Sequence, residues 1–231
     1  KFAFFSDLDK YLTRRNNFVN NYRTVLTYLL YDKGLNYVNK PKGLIPFHKY
    51  GNSYRTAFME QLADGVYYLR DKDNNVFVHF TLSSEYLEMS KQHIDKGISI
   101  LEEMYNAKYD ISYSEQMPRT NTVSLYVDGG DIVRDRSGNI YLRAGGHGAL
   151  LDNLNNIDAD LIFIKNIDNV SHDRFALNNS YYKKILASYL LKIQSKIHKF
   201  LHAVDSGSLT ESMINKIKSI LVKDFMIKDV D

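Results

Sequence analysis

Cysteine is absent from this 231-residue chain, and so is tryptophan. Without a thiol there is no disulfide framework, no zinc knuckle and no cysteine nucleophile. Long hydrophobic runs are also missing. The longest, such as Leu161 to Ile164, fall far short of the ~18 residues that cross a bilayer. No apolar leader stretch follows the first residues, so the expected compartment is the cytoplasm, with no membrane partner. Charge of one sign is lacking as well. Lys+Arg 30 against Asp+Glu 27 leaves +3, too even a balance to mark a nucleic-acid binder by electrostatics. No serine stands in a Gly-x-Ser-x-Gly elbow, and internal repeats, heptads and low-complexity tails are absent. The chain opens on Lys1 rather than Met, and the expectation is a segment of a longer protein.

What is present is the composition of a globular body: 44% hydrophobic, 25% charged and 13% aromatic. At 26.8 kDa such a chain buries about 70% of its extended surface, enough to build a core without staples. Leu8, Tyr11, Leu12, Phe18, Val19, Tyr22, Val25, Leu26 and Leu29 recur at three and four, which predicts an amphipathic helix over 6–31 capped by Ser6 and Asp9. From Asp32 to Gly51 the pattern dissolves into a loop. Helical spacing resumes over Tyr54 to Leu69, a turn follows at Asp71 to Asn75, and Val76 to Leu82 reads as a strand. A helix over Glu85 to Tyr105 and a strand over Tyr109 to Ser114 complete a βαβ unit.

Thr122 to Val127 and Ile140 to Arg143, turned at Asp128 to Gly130 and Ser137 to Asn139, suggest an antiparallel excursion. The glycine run from Gly145 to Gly148 opens a short helix. Leu161 to Ile164 then suits a strand covered on both faces of a parallel sheet. Long helical stripes close the chain, the last capped by Ser208 and Glu211. The expected class is α/β, one incomplete domain over 1–231, with a core over 34–174 and a helical segment over 179–228.

In open α/β sheets ligands bind beyond the carboxyl ends of strands, which directs attention to three loops. Asp168, after Ile164, can hold Mg²⁺, which takes one or two protein carboxylates and leaves other positions to phosphate oxygens; it can equally cap a turn. Gly145, Gly146, His147 and Gly148 allow a backbone to approach an anion closely, although a tight connection into a helix needs glycine too. Lys40 and Lys42, around Pro41 and Gly43, can neutralise phosphate or simply form a basic turn. Gln116 carries an amide able to read a base edge. His198 and His202 stand one helical turn apart, but Lys199 occupies the place where a metalloprotease needs glutamate. The aromatics lack the basic interleaving of an RNA-binding sheet.

Four segments in order, Asn36 to Phe47 (NYVNKPKGLIPF), Ser114 to Pro118 (SEQMP), Arg143 to Leu151 (RAGGHGALL) and Ala159 to Val170 (ADLIFIKNIDNV), resemble the bacterial domain-of-unknown-function 4301 family. The resemblance runs from Gly34 to Asp173. That family is similar, more remotely, to UTP-dependent sugar-1-phosphate uridylyltransferases, which have a Rossmann-like nucleotidyltransferase fold of the glycosyltransferase-A kind. The resemblance implies that Pro41, Lys42 and Gly43 meet phosphate, that Gln116 and the Gly145, Gly146, His147 and Gly148 backbone hold uracil, that Asp168 binds Mg²⁺ and that Asn169 supports the sugar. It implies UTP and a sugar phosphate as partners. Two positions depart from the pattern: Ala144 stands where the family usually has proline, and the phosphate-cradling Gly-x-Gly-Thr-Arg loop of the uridylyltransferases is missing. The expected function is uridylyl transfer to a sugar 1-phosphate. The alternatives are a module that binds a sugar nucleotide without turnover and a purely structural α/β body.

Overall fold

The computed structural model describes residues 4–14 and 22–228. The architecture is mixed α/β, with seven α-helices and three two-stranded sheets among the described residues. The chain divides into two compact units, Lys1–Ser180 and Tyr181–Asp231.

The first unit is organised on one helix, α3 (Ala57–Leu69). An amphipathic helix hides one stripe, but every α3 residue from Ala57 to Val66 is buried. The core holds Phe58, Met59, Leu62 and Ala63 of this helix with Phe80, Ile94 and Leu101. Phe80 belongs to β3 (Asn75–Leu82), while Ile94 and Leu101 belong to α4 (Ser84–Tyr105). Strand β4 (Lys108–Glu115) pairs parallel to β3, from Asn75 opposite Lys108 to Leu82 opposite Glu115, so the expected βαβ unit is present. Alternation sets its faces: Val76 and Phe80 turn inward, while Phe77 stands 57% exposed on the other side.

Several boundaries differ from the sequence reading. Helices α1 (Phe5–Arg14) and α2 (Tyr22–Leu30) stand in the region predicted as one helix, whose Phe18 and Val19 lie outside the described residues. Ser6 sits inside α1 rather than capping it, and its hydroxyl accepts a hydrogen bond from Lys49 Nζ at 3.2 Å. The segment read as a loop before Gly51 contains 3-10 turns at Tyr37–Asn39 and Lys42–Leu44 and then strand β1 (Pro46–Tyr50), antiparallel to β2 (Ser53–Thr56). An irregular register between Pro46 and His48 breaks the alternation that would reveal β1. Gly51, at φ +59°, makes the reversal. Helix α3 therefore starts three residues after the predicted Tyr54, with Thr56 accepting from the Met59 amide as its cap.

The excursion is real but sparse: β5 (Thr122–Val123) pairs with β6 (Leu142–Arg143), and isolated bridges join Leu125 to Ile132 and Arg134 to Ile140. Leu161 to Ile164, expected as a buried strand, is not a strand. Side chains place it instead, with the Phe163 ring 4.9 Å from that of Tyr68 and the next residue, Lys165, bonded to Asp64. After α5 (Leu151–Asn155) come α6 (Ala176–Asp205) and α7 (Glu211–Lys223). Thr210, not Ser208, caps α7 by accepting from the Met213 amide, because the Ser208 amide closes the end of α6 on the Ala203 carbonyl. No described helix is long and apolar enough to cross a membrane.

Leu62 is fully buried, so Leu62→Ala is expected to lower the unfolding free energy by about 2–5 kcal/mol. Phe77→Ala, on the open face of β3, is expected to change it far less. Urea midpoints of the two variants check this contrast.

Candidate functional site

Burial of α3 on all sides places three polar side chains, Glu60, Gln61 and Asp64, where each needs a partner. The segment 165–173 supplies many of them, running antiparallel to the helix. Lys165 Nζ donates to Asp64 Oδ2 at 2.6 Å. Gln61 Nε2 donates to the carbonyls of Asn166 at 2.9 Å, Ile167 at 3.2 Å and Asn169 at 3.5 Å. The Asn169 amide closes a turn on the Asn166 carbonyl at 3.0 Å. Asp168 therefore sits in a turn gripped from beneath by one buried amide.

Across 126 positions of sequence, Lys42 Nζ donates to Asp168 Oδ2 at 2.9 Å. The two side chains are 65% and 37% exposed, so the pair meets at the surface. The backbone under Lys42 is held more firmly than its ammonium. Pro41 accepts the Leu44 amide at 3.0 Å, and a Cβ on Gly43 would stand 2.1 Å from the Phe58 ring, so only glycine fits there. The Lys42 ammonium holds the Asp168 carboxyl below the usual carboxylate range, first through its hydrogen bond.

The other candidates connect to the same turn. His147 Nε2 lies 3.0 Å from Asn166 Oδ1, and Gln116 Nε2 donates to the Gly145 carbonyl at 3.4 Å. Helix α5 is tied to the end of β4 by Asn153 Nδ2, which donates to Ser114 Oγ and to the Glu115 carbonyl, both at 2.9 Å, and Arg119 pairs with Asp152. Gly145 is required by crowding, since a Cβ would lie 2.6 Å from the Thr120 carbonyl oxygen. Gly146 and Gly148 face open space, and neither has a positive φ. Nothing in the fold demands glycine at those two positions. Lys42 and Asp168 thus touch directly, while Gln116 and the glycine run join them only through the Asn166 to Asn169 turn. Asn169 contributes its backbone to that turn, and Pro41 and Gly43 shape the bend that carries Lys42.

A second polar cluster escaped the sequence reading. Glu60, 1% exposed, lies 2.9 Å from His48 Nδ1 and accepts from the Tyr50 hydroxyl at 2.9 Å. Arg55 Nη1 donates to both Asp173 oxygens at 2.7 and 2.8 Å, and the Tyr105 hydroxyl donates to Asp173 at 3.1 Å. Burial raises the Glu60 carboxyl above its ordinary value, against the lowering pull of Tyr50 and His48. Burial raises the Tyr50 phenol too. The only signal in the sequence was three polar residues inside an otherwise apolar helix; the partners of Glu60 lie 10 and 12 positions before it in a segment read as a loop, and those of Gln61 and Asp64 lie about a hundred positions after.

Chemically, the surface around Lys42, Asp168 and the glycine run forms a rim that offers a solvated ammonium, one carboxylate, a primary amide and two uncovered glycine backbones. An oxygen-only donor set with a single carboxylate fits Mg²⁺ that brings phosphate oxygens with it. It does not fit a cage of protein ligands: among the described residues no three His, Asp or Glu gather to hold a metal.

The family described as domain of unknown function (DUF4301) matches over residues 1–231, the whole chain and so beyond the Gly34 to Asp173 span that carried the resemblance. No curated protein and no solved structure matches it.

Gln61→Leu takes the side-chain donor from the Ile167 and Asn169 carbonyls and leaves that of Asn166 with the Asn169 amide, and it is expected to cost about 1–3 kcal/mol. Hydrogen exchange at the Asn169 amide, which closes the turn, should accelerate with it. Glu60 gives a pH signature. Its folded carboxyl holds a proton more tightly than the unfolded one, so that contribution is full below about pH 4.3 and is lost as pH rises through the raised value. Glu60→Gln cannot ionise, and urea midpoints from about pH 4 to about pH 8 should fall less steeply for it than for wild type.

Proposed function

The chain belongs to the DUF4301 family, and we propose that it is a nucleotidyltransferase-like protein that transfers a uridylyl group from UTP to a sugar 1-phosphate and releases pyrophosphate. The observation that carries this reading is the 2.9 Å contact of Lys42 with Asp168, in a turn that also contacts the glycine run. Nucleotidyl transfer is served by a cation near a carboxylate able to hold a metal, and here the two come from segments 126 positions apart. Gly146 and Gly148 support it further, because bare backbone facing open space suits the close approach of a planar base or an anion. The parallel β3–β4 pair is in keeping with a Rossmann-like nucleotidyltransferase sheet.

In this reading Lys42 binds a phosphate oxygen and Asp168 holds Mg²⁺. When bound, that ion supplies positive charge to the phosphates and a fixed geometry. Gln116 and the backbone of Gly145 to Gly148 orient the base, and Asn169 faces the sugar. An oxygen of the sugar phosphate attacks the α-phosphorus in line as the bond to pyrophosphate breaks, so the protein's work is positioning and charge neutralisation. A second reading, a cytoplasmic sugar-nucleotide-binding module without turnover, draws on one observation: a single carboxylate, already neutralised by Lys42, is a sparse set for catalysis.

Pyrophosphate release from UTP and a panel of sugar 1-phosphates is the test. Lys42→Ala is expected to lower the rate by about 10²- to 10³-fold, as loss of other preorganised charge-stabilising donors does, and Asp168→Ala to abolish it. Silence of wild type with every nucleotide and sugar removes catalysis. UDP-sugar binding that persists in the presence of a chelator then favours the binding module.

A further inference from the structure

We infer that Lys42 is a resident counter-ion that reserves the Asp168 carboxylate, so that a divalent cation enters only together with a phosphate group that draws Lys42 away. This rests on the nucleotide reading of the rim and adds an order of events to it.

Three observations lead here. First, Lys42 Nζ already occupies Asp168 Oδ2 at 2.9 Å, so a cation arriving alone must compete with an ammonium for the one carboxylate. Second, the Lys42 side chain is 65% exposed and that of Asp168 37%, so water reaches the contact and it can be exchanged. The Lys42 backbone is pinned through Pro41 and by Gly43 against Phe58, which leaves the four-carbon stem free to swing the ammonium without moving the loop. Third, among the described residues no three His, Asp or Glu gather to form a cage that would hold a bare ion tightly. Magnesium dehydrates reluctantly and relies on substrate phosphates for much of its inner shell.

A phosphate carries more negative charge than a carboxylate and competes well for the lysine. Once Nζ turns to it, Asp168 is left with unbalanced charge, and a divalent ion bridging carboxylate and phosphate restores the balance. Metal and nucleotide are then coupled through one side chain, and the coupling must be reciprocal. A surface salt bridge that phosphate never draws on leaves nucleotide affinity unchanged when its lysine is lost. The two ideas separate at Lys42→Met, which keeps the stem and deletes the charge. If Lys42 reserves Asp168, this variant binds a lone divalent ion more tightly and metal-free nucleotide more weakly, two changes of opposite sign.

The test uses full-length wild type, Lys42→Met and the double variant Lys42→Met/Asp168→Asn. Free Mn²⁺ is followed by electron paramagnetic resonance without nucleotide, and UTP binding by calorimetry in EDTA. Lys42→Met should bind Mn²⁺ about tenfold more tightly than wild type and UTP about tenfold more weakly, within the usual range of coupling between ligands. The Mn²⁺ gain should vanish in the double variant. Equal Mn²⁺ affinity in wild type and Lys42→Met, or a gain that survives the double substitution, overturns the inference while UTP binding leaves the nucleotide site standing. Failure of wild type to bind UTP both in EDTA and in excess Mg²⁺ overturns the nucleotide reading, and this inference with it. Lys42 lies at the surface, and matching thermal melts establish that the variants are folded.

Discussion

A helix buried on every side cannot leave its polar groups unpaired, and α3 carries Glu60, Gln61 and Asp64 into the interior. The place of the turn that carries Asp168 follows from how two of them, Gln61 and Asp64, are satisfied. Asp64 takes Lys165, Gln61 takes three carbonyls of the Asn166 to Asn169 stretch, and Glu60 takes His48 and Tyr50. Arg55 binds Asp173 nearby and lies 3.6 Å from Glu60, closing the far end of the same segment. The price of a polar core helix is thus met by a loop that would otherwise have no element to rest on, since Leu161 to Ile164 joins no sheet.

The division of labour is between buried and exposed bonds. The contacts of Gln61 and Asp64 lie in a poorly solvated interior, where losing a partner is costly, and they hold backbone. The contacts of Lys42, Asp168 and His147 lie at the surface, where water competes and partners exchange. A rigid base beneath exchangeable groups suits ligand binding: the turn keeps its place while the ammonium and carboxylate are free to change partners. The tie between Gln116 and Gly145 shows the same arrangement, with α5 anchored on the end of β4 by Asn153.

Local elements were legible to the extent that their residues interact locally. The β3, α4 and β4 unit could be read because helical and strand periodicities alternate cleanly over 75–115, and the antiparallel excursion because Asp-Gly-Gly and Ser-Gly-Asn mark its turns. The β1–β2 hairpin was hidden by Pro46 and by the irregular register beside it, and Tyr54 to Thr56 fell into the apparent helix because its apolar spacing continues that of α3. Leu161 to Ile164 has the composition of a central strand, but composition does not supply a neighbour to pair with. The candidate residues Lys42, Gln116, His147 and Asp168 were named from motif and position, whereas Gln61, Asp64 and Asn166, which hold them together, carry no local signature.

By itself the sequence determined a cysteine-free, nearly charge-balanced α/β chain, its main helices, its parallel unit and the residue types able to meet phosphate and a divalent ion. These follow from composition and short-range periodicity, which act between residues a few positions apart. Tertiary structure alone decided that Lys42 meets Asp168, that one glutamine amide gathers the turn carrying Asp168 and that Glu60 finds partners despite its burial. Those pairings join residues ten to more than a hundred positions apart. They are selected by which buried polar groups the packed core leaves to be satisfied, a demand that exists only once the chain has folded.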